Sequence, residues 1–302
     1  MQFLHPERDE QLELSLDDCF IVPSYFDGVS RHEVDLRPDD FTGASHPIVS
    51  ANMNAVTGKR MAETIARYGG LGVLPQDMHP ETVDRIVRHI QSASSRFDTA
   101  LEVTPDATLR DVMGIIRKRS HGMVVVVDER RRPLGILTAH DLRDRDQYTA
   151  AHHVMSRRLV TLPHDLDNRT AFERMDAARL KAAPVVDEHE RLLGVLEKDA
   201  AVRAELLQPN VDEQDRLRVA AAIGISGDTA RHAAQLVEMG VHCLVVDTAH
   251  GHQRRMLEAL AAVRSEVGDR ATIVAGNVCT AEGTRALLEA GADVAKINVG
   301  PG

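Results

Sequence analysis

The feature that most constrains the fold of this chain is a repeated alternation of apolar strands with helices. Two segments, VEMGVHCLVVD and LEAGADVAKINV, share one plan: a helix ends at Gly240 or Gly291, and an almost uninterrupted apolar strand follows. Strands that are apolar along their whole length usually have both faces covered, as in a parallel sheet with helices packed on it. The repeat therefore predicts an α/β fold built on a parallel sheet.

The same pattern predicts six strands in total. They begin near Pro47, Leu71, Leu217, Cys243, Thr272 and Val294. Polar residues stand at the ends of several strands, where (β/α)8 barrels carry their active sites, and no GxGxxG motif begins a helix. We predict a TIM-type barrel in preference to a doubly wound sheet.

An internal repeat interrupts this pattern. The segment MVVVVDERRRPLGIL matches KAAPVVDEHERLLGVL at an offset of 59 residues, so that Asp128 corresponds to Asp187. Each copy follows a helix-like stretch, which predicts a duplicated α/β module inserted into the barrel. The predicted boundaries are 1–93 for the first barrel part, 94–208 for the module, with repeats at about 97–147 and 152–206, and 209–302 for the second barrel part.

Composition excludes several classes of function. The net charge of -10 repels nucleic-acid phosphates, and the absence of tryptophan leaves few stacking platforms for bases. The three cysteines form no CxxC pair, so neither a disulfide framework nor a zinc knuckle is indicated. The first residues lack a signal-peptide pattern, and no run approaches about 18 apolar residues. We predict a cytoplasmic protein with no nucleic-acid and no membrane partner.

Five motifs carry a resemblance to a known family. They are SLDDCFIVP, VSANMNAVTGKRMAE, VVDTAHGH, AGNVCTAEG and the closing GPG. In their order and spacing the chain resembles the IMP dehydrogenase/GMP reductase family, in which a paired CBS module is inserted after the second βα unit of a (β/α)8 barrel. The stretches ANMNAVTGKRMAETIARYGG, LPQD and DTAHGHQ are most similar to the CBS-containing GMP reductase branch.

The resemblance implies an NAD(P)-dependent purine-nucleotide oxidoreductase. Its leading form is an NADPH-dependent GMP reductase, which converts GMP to IMP and ammonia through a covalent thioimidate. The alternative is an IMP dehydrogenase, which converts IMP to XMP with NAD. An alternative of another class is a non-catalytic nucleotide-sensing or scaffolding protein. The family also implies a homotetramer or a higher oligomer.

In this family the glycine-rich stretch leads into a catalytic cysteine that attacks C2 of the purine. The resemblance implies a (β/α)8 TIM barrel of which this chain contains the first six strands, with the last two missing. The sequence stops at Gly302, before such a cysteine, so we expect these 302 residues to be inactive alone. Two interpretations are open: a truncated or partial sequence, and a genuinely short protein that dimerises or has lost catalysis. An open six-stranded segment would expose two strand edges.

The resemblance also assigns roles to residues at strand ends. Asp247, with Thr248 and Ala249, is implied to face the nicotinamide cofactor, where the carboxylate accepts hydrogen bonds from a ribose. The alternative for Asp247 is a helix N-cap. His250 and His252 could instead serve as metal ligands of a hydrolase, but no further residue has ligand spacing, so a loop or cofactor role is preferred.

The implied substrate-binding residues are Met53, Asn277, Lys296 and Gly302. Met53 would line the purine pocket rather than the core, and Asn277 would bond the nucleotide rather than cap a helix. Lys296 lies within an apolar strand, where an unpaired ammonium is costly to bury, so we expect a charged partner or ligand.

The last glycines carry a further implication. In relatives, carbonyl groups at the positions of Gly300 and Gly302 help to hold a monovalent cation such as K+, and this chain contains only part of that site. The family usually has glycine where Asn298 stands, a departure that affects the approach of the loop. Cys243 and Cys279 do not align with the nucleophile, and we predict that both pack in the interior.

Paired CBS modules often bind regulatory adenine or guanine nucleotides. In the first copy, Thr138 and Asp141 offer a hydroxyl and a carboxylate suited to a ribose-phosphate. The second copy has Glu197 and Ala200 at these positions and lacks the signature, although Asp199 is adjacent. A structural or oligomer-forming role for the module is the alternative.

Overall fold

The computed structural model describes residues 20–25, 27–28, 30 and 33–298, so the predictions at Gly300 and Gly302 lie outside the described residues. The chain divides into two compact units, residues 1–35 and 36–302. All the helices and strands named below lie in the second unit. No helix in the described part is both long and apolar enough to cross a bilayer.

The larger sheet has six strands among the described residues, numbered here in chain order. They are β1 (Val49–Ser50), β2 (Leu71–Leu74), β9 (Ala220–Ile223), β10 (Cys243–Asp247), β11 (Thr272–Val278) and β12 (Val294–Ile297). The accompanying helices are α1 (Lys59–Arg67), α2 (Pro80–Ser92), α7 (Thr229–Glu238), α8 (Arg254–Val267) and α9 (Ala281–Glu289).

All neighbouring strands of the larger sheet are parallel, in the order β1-β2-β9-β10-β11-β12. One sheet face packs against the helices through large side chains such as Ile223, Leu244 and Ile273. Helix α2 packs on this face through Val83, Ile86, Val87 and Ile90, which are all buried. The predicted α/β class with a parallel sheet is confirmed.

The other face of the larger sheet carries smaller side chains. Ala220, Ala222, Cys243 and Val245 form a separate buried cluster with neighbouring strand residues. Cys243 is therefore a packing residue, as predicted. Burial raises the pKa of its thiol to about 12, and two nearby aspartates act in the same direction. A thiol held neutral in this way is not a nucleophile at physiological pH.

Glycines end two of the helices. Gly240 and Gly291 follow α7 and α9 with φ angles of 94° and 114°, in the region that favours glycine. Both predicted helix ends are confirmed. Each glycine turns the chain directly into the next parallel strand, β10 or β12.

Close packing of β2 on α1 depends on Gly72. A Cβ atom added there would lie 2.5 Å from the Cα of Ala62 and 2.7 Å from its Cβ. We expect Gly72→Ala to lower the free energy of unfolding by about 1–3 kcal/mol, because the backbone of α1 must shift. Chemical denaturation checks this value.

The matched control for that substitution is Gly114→Ala. Gly114 lies on the helix Leu109–Ile115, and among the described residues no atom outside that helix backbone and its chain neighbours lies within 4 Å of an added Cβ. Alanine there should raise the free energy of unfolding by about 0.5–1 kcal/mol, because it favours helix. If both substitutions changed the free energy of unfolding equally and in the same direction, close packing of Gly72 against α1 would not explain the effect.

Between α2 and β9 the chain forms two smaller sheets. The first contains β3 (Leu101–Val103), β4 (Met123–Val127) and β5 (Pro133–Thr138); the second contains β6 (Leu162–Pro163), β7 (Ala182–Val186) and β8 (Leu192–Glu197). Their helices are α3 (Leu109–Ile115), α4 (Ala151–Val154), α5 (Asn168–Ala177) and α6 (Lys198–Arg203).

The two smaller sheets have the same construction. In each, the first pair of strands is parallel, the second pair is antiparallel, and a register shift falls at the equivalent valines, Val126/Val127 and Val185/Val186. One isolated bridge joins Asp98 to Val195 in the second sheet, and another joins Ser156 to Ile136 in the first. The residues before the first copy thus pair with the sheet of the second copy, and the residues before the second copy pair with the sheet of the first.

The turn between the antiparallel strands is held by an Asp–Arg pair in each copy. In the first copy, Asp128 accepts from the backbone N–H groups of Arg130 and Arg132 and from Arg132 Nε. In the second copy, Asp187 accepts from the backbone N–H groups of His189 and Arg191 and from Arg191 Nε. A third turn of this kind, across 212–216, lies in the hairpin before β9. Its VDEQDRL sequence shares the local turn pattern without belonging to the repeat.

A closed ring of four charged side chains joins α1 to the inserted module. Glu63 and Arg67 lie on α1, Asp98 lies before β3, and Arg119 lies between α3 and β4. Glu63 pairs with Arg67, Arg67 with Asp98 at 2.9 Å, Asp98 with Arg119 at 2.8 Å, and Arg119 with Glu63 at 2.8 Å. We call this set the charge ring.

Glu63 is the fully buried member of the charge ring. Burial alone would raise its pKa, but the hydrogen bond from Arg119, the charge of Arg67 and a hydrogen bond from Thr99 outweigh burial. Together they lower the pKa from 4.5 to about 2. The carboxylate is therefore ionised and paired across the neutral pH range.

Candidate functional site

Three polar side chains meet at the carboxyl ends of the large-sheet strands. Asp247 is the last residue of β10, Lys296 lies within β12, and Asn52 follows β1. Lys296 Nζ lies 3.0 Å from Asp247 Oδ1, and Asn52 Nδ2 donates to Asp247 Oδ2 at 2.7 Å. We call these three residues the strand-end triad.

The strand-end triad shows that the larger sheet is strongly curved. Two strands, β2 and β9, separate β1 from β10 in the sheet. In a flat sheet β1 and β10 would lie about 14 Å apart, at about 4.8 Å per strand. A hydrogen bond between residues at their ends requires the sheet to curl, as the wall of a barrel does.

The electrostatics of the triad suit an ionised carboxylate. The Asp247 and Lys296 side chains are partly buried, and their opposite charges compensate each other. The charged partner expected for Lys296 is thus present. The alternative role of Asp247 as a helix cap is wrong, because Gln253 is the N-cap of α8.

Backbone hydrogen bonds tie the loops after β10 and β11 together. Thr248 donates its N–H to Gly276, and its carbonyl accepts from the N–H of Asn277 at 2.8 Å. The Asn277 Oδ1 is buried and has no hydrogen-bond partner among the described residues. Asn277 is not a helix cap, since Thr280 caps α9. An orphan acceptor therefore lies one strand from Asp247.

Other predicted site residues fall around this position. Met53 is 59% exposed, so it is not core packing. Ala249 is exposed in the loop that follows Thr248. Asn298 adopts a φ of 128°, in the range that favours glycine, and its N–H donates to the Val278 carbonyl at 3.0 Å. The backbone here keeps the conformation expected of glycine although the residue is asparagine.

Cys279 and the histidine pair have simpler outcomes. Cys279 is exposed, so the prediction that it packs in the interior is wrong. It follows the last residue of β11, where the chain has already left the sheet. His250 is exposed in the loop before α8. Within the described ranges, no group of three or more His, Cys, Asp or Glu could hold a metal ion.

Comparison with known proteins identifies the lineage. A family model described as the IMP dehydrogenase / GMP reductase domain matches residues 13–302. The chain belongs to this family. The parallel, curved sheet is accordingly the TIM-barrel-like α/β fold of an IMP dehydrogenase / GMP reductase domain.

Named relatives fall on both branches of the family. The GMP reductase of Mycobacterium tuberculosis is 42% identical over 304 residues, covering 100% of this chain and 62% of the relative. The inosine-5'-monophosphate dehydrogenase of Halalkalibacterium halodurans is 39% identical over 297 residues, covering 96% of this chain and 60% of the relative. The chain thus spans about three fifths of these relatives.

A solved structure of a Trypanosoma brucei GMP reductase variant in complex with guanosine 5'-monophosphate is 32% identical. It aligns with a TM-score of 0.62, over 96% of this chain and 63% of that chain. A complex of a GMP reductase from the same organism with guanosine 5'-triphosphate gives a TM-score of 0.63 at 31% identity, over 96% of this chain and 72% of that chain.

In this family member the predicted regulatory residues form a local pair. Asp141 Oδ2 accepts hydrogen bonds from the N–H and the hydroxyl of Thr138, at 2.8 and 2.7 Å. At the equivalent place in the second copy, Glu197 accepts from Ser120 at 2.8 Å. The two ends of the module are therefore chemically different.

The Glu197 end of the module faces helix α1. A small cavity there is lined by residues of the second copy, of α1 and of the segment before β3, together with Ser120 of the first copy. The Arg203 guanidinium lies over the Tyr68 ring, 3.7 Å from its centroid. Ala200 also lines this cavity, whereas Asp199 lies in the first turn of α6.

Asn52 and the charge ring were missed by sequence reasoning. Asn52 stood inside the quoted SANMN motif, immediately before Met53. The signal that could have found it is its position just after an apolar parallel strand, where barrel enzymes place functional side chains. The charge ring had no such signal.

Proposed function

We propose that this chain is part of an NADPH-dependent GMP reductase, which converts GMP to IMP and ammonia. The observation that carries the proposal is the strand-end triad next to the orphan acceptor of Asn277. An ionised, fixed carboxylate and an unpartnered amide oxygen are both acceptors, and a nucleotide offers ribose hydroxyls and purine N–H groups as donors. The 42% identity to a GMP reductase supports the choice of branch.

The residues present fit a nicotinamide dinucleotide. Asp247 would accept hydrogen bonds from a ribose of the cofactor, with Thr248 and Ala249 beside it. A buried acceptor without a donor costs about 1–3 kcal/mol, so a hydroxyl of the substrate nucleotide at Asn277, beside the cofactor, would relieve that cost. When bound, the cofactor supplies the hydride. The chain's own groups bind and orient the reactants.

The substrate side of the site is assigned to the neighbouring residues. Met53, exposed after β1, would contact the purine, and Asn277 would donate to or accept from the nucleotide. Lys296 pairs with Asp247 and would add positive charge near the nucleotide. Gly302 as a substrate residue, and Gly300 with Gly302 as a partial K+ site, remain predictions outside the described residues.

Enzyme assays on the natural gene product that contains these residues test the proposal. GMP with NADPH should give loss of NADPH absorbance and release of ammonia. IMP with NAD should give no comparable formation of NADH. The reverse pattern would support the IMP dehydrogenase alternative, which the 39% identity to such an enzyme motivates. Nucleotide binding without turnover of either pair would support the non-catalytic sensing or scaffolding alternative.

We further propose that residues 94–208 are a paired CBS module inserted in the barrel, with barrel parts at 1–93 and 209–302. The matching strand order and register shifts of the two smaller sheets support this assignment. Thr138 and Asp141 would bind an adenine or guanine nucleotide, with their present hydrogen bonds exchanged for ribose hydroxyls. A homotetrameric or higher assembly and a cytoplasmic location remain predictions.

A further inference from the structure

Asn52 occupies an unusual position for a neutral side chain. It lies in the loop after β1, yet its amide reaches a carboxylate on β10, 195 residues further along the chain. Because an ionised carboxylate only accepts hydrogen bonds, the Nδ2 group must face Asp247. The contact joins the ends of β1 and β10, which are not neighbours in the sheet.

The loop that carries Asn52 is itself held firmly. The Thr57 hydroxyl is fully buried and lies 2.5 Å from the Ala51 carbonyl and 3.0 Å from the Ser50 hydroxyl. The Met53 N–H also donates to the Ala51 carbonyl, at 2.8 Å. Both chain neighbours of Asn52 are therefore hydrogen-bonded, Ala51 as acceptor and Met53 as donor, which fixes the backbone that carries the Asn52 side chain.

The two partners of Asp247 differ in what they can fix. Lys296 is a compact charge on a flexible stem, so it neutralises the carboxylate without setting its orientation. Asn52 has a short side chain, and its hydrogen bond to the second oxygen sets the plane of the carboxylate. An ionised carboxylate has about four acceptor positions, so two remain for two hydroxyls of one ligand.

We propose that Asn52 is a positioning residue that orients the Asp247 carboxylate toward the cis-diol of the cofactor ribose. This inference rests on the proposed function and deepens it. Met53 is the next residue, so the same loop carries the proposed purine contact of Met53 and the hydrogen bond from Asn52 that orients Asp247. Asn52 thereby links the proposed substrate side of the site, at Met53, to the proposed cofactor side, at Asp247.

The first test is Asn52→Ala in the natural gene product. The KM for NADPH should rise about 10-fold, as expected for loss of one hydrogen bond to a charged group, while kcat stays within about threefold. The matched control is Asn54→Ala, an exposed asparagine of the same loop. Its KM for NADPH should stay within about twofold of wild type.

A second variant, Asn52→Asp, separates positioning from simple loss of structure. The new carboxylate faces Asp247, and repulsion between like charges raises the pKa of the pair. A proton bound at lower pH then replaces the lost donor. The KM for NADPH should fall about 10-fold between pH 8 and pH 6 relative to wild type, whereas Asn52→Ala should show no such additional pH dependence.

Fluorescence titration gives the dissociation constant for NADPH without requiring turnover. It therefore distinguishes failure of the role proposed for Asn52 from failure of the proposed reductase activity. Equal NADPH dissociation constants for wild type and Asn52→Ala would overturn the role of Asn52 alone. Binding of NADPH by the wild type without turnover of GMP would overturn the reductase proposal, while a weaker Asn52→Ala complex would still support Asn52. Failure of the wild type to bind NADPH would overturn both.

Discussion

Replacing Glu63 by glutamine is expected to lower the free energy of unfolding by about 3–5 kcal/mol, because it leaves buried charge uncompensated. The Arg67 and Arg119 side chains that face Glu63 are only 10% and 6% exposed. Glutamine keeps the size of the side chain but removes its charge and one acceptor. Urea denaturation followed by circular dichroism measures the difference.

The matched control is Glu173→Gln. Glu173 forms an i,i+4 ion pair with Arg169, as Glu63 does with Arg67, but both side chains of that pair are largely exposed. An exposed pair contributes only about 0.2–1 kcal/mol. If both variants lost less than about 1 kcal/mol, the charge ring would not be a significant link between α1 and the inserted module.

The same carboxylate gives stability a defined pH dependence. Its pKa is lowered from 4.5 to about 2 in the folded chain, so the unfolded chain binds more protons between these values. The contribution, about 3 kcal/mol, is complete above pH 4.5 and is lost as the pH falls toward 2. The stability difference between wild type and Glu63→Gln should narrow over that range.

Much of the fold could be predicted because its signals are local. The glycines after α7 and α9 and the internal repeat that aligns Asp128 with Asp187 each depend on residues close together in the chain. The parallel arrangement of the strands was predicted from their continuous apolar sequence. Cys279 was assigned to the core from its neighbours, but the strand ends at Val278, so its side chain is outside the sheet.

The site was predicted only in part, for a physical reason. Asp247 and Lys296 could be chosen individually, since a charge in or at the end of an apolar strand is conspicuous. Their contact with Asn52 depends on the curvature of the sheet, which no local pattern encodes. The charge ring has the same origin, because Arg119 meets Glu63 from 56 residues away.

Removal of the Asp247 carboxylate should have the largest effect on activity. With Asp247→Ala in the natural gene product, kcat/KM for NADPH is expected to fall about 10²–10³-fold, because the two charge-assisted hydrogen bonds that we propose between this carboxylate and the ribose would be lost. The exposed Asp269, outside the strand ends, gives the control Asp269→Ala, whose activity should match the wild type.

The pairing of Asp247 with Lys296 makes a sharper prediction for the double variant. Lys296→Met alone should reduce kcat/KM about 10-fold, since the carboxylate would keep its proposed ribose contacts but would lose its neutralising partner. In Asp247→Ala the lysine is left uncompensated in a partly buried position, so adding Lys296→Met should cost little more. The kcat/KM values of the wild type, the two single variants and the double variant should therefore give a coupling free energy between Asp247 and Lys296 of about 1–2 kcal/mol. Strictly additive losses would mean that the two side chains act independently, and the strand-end triad would then not be a functional unit.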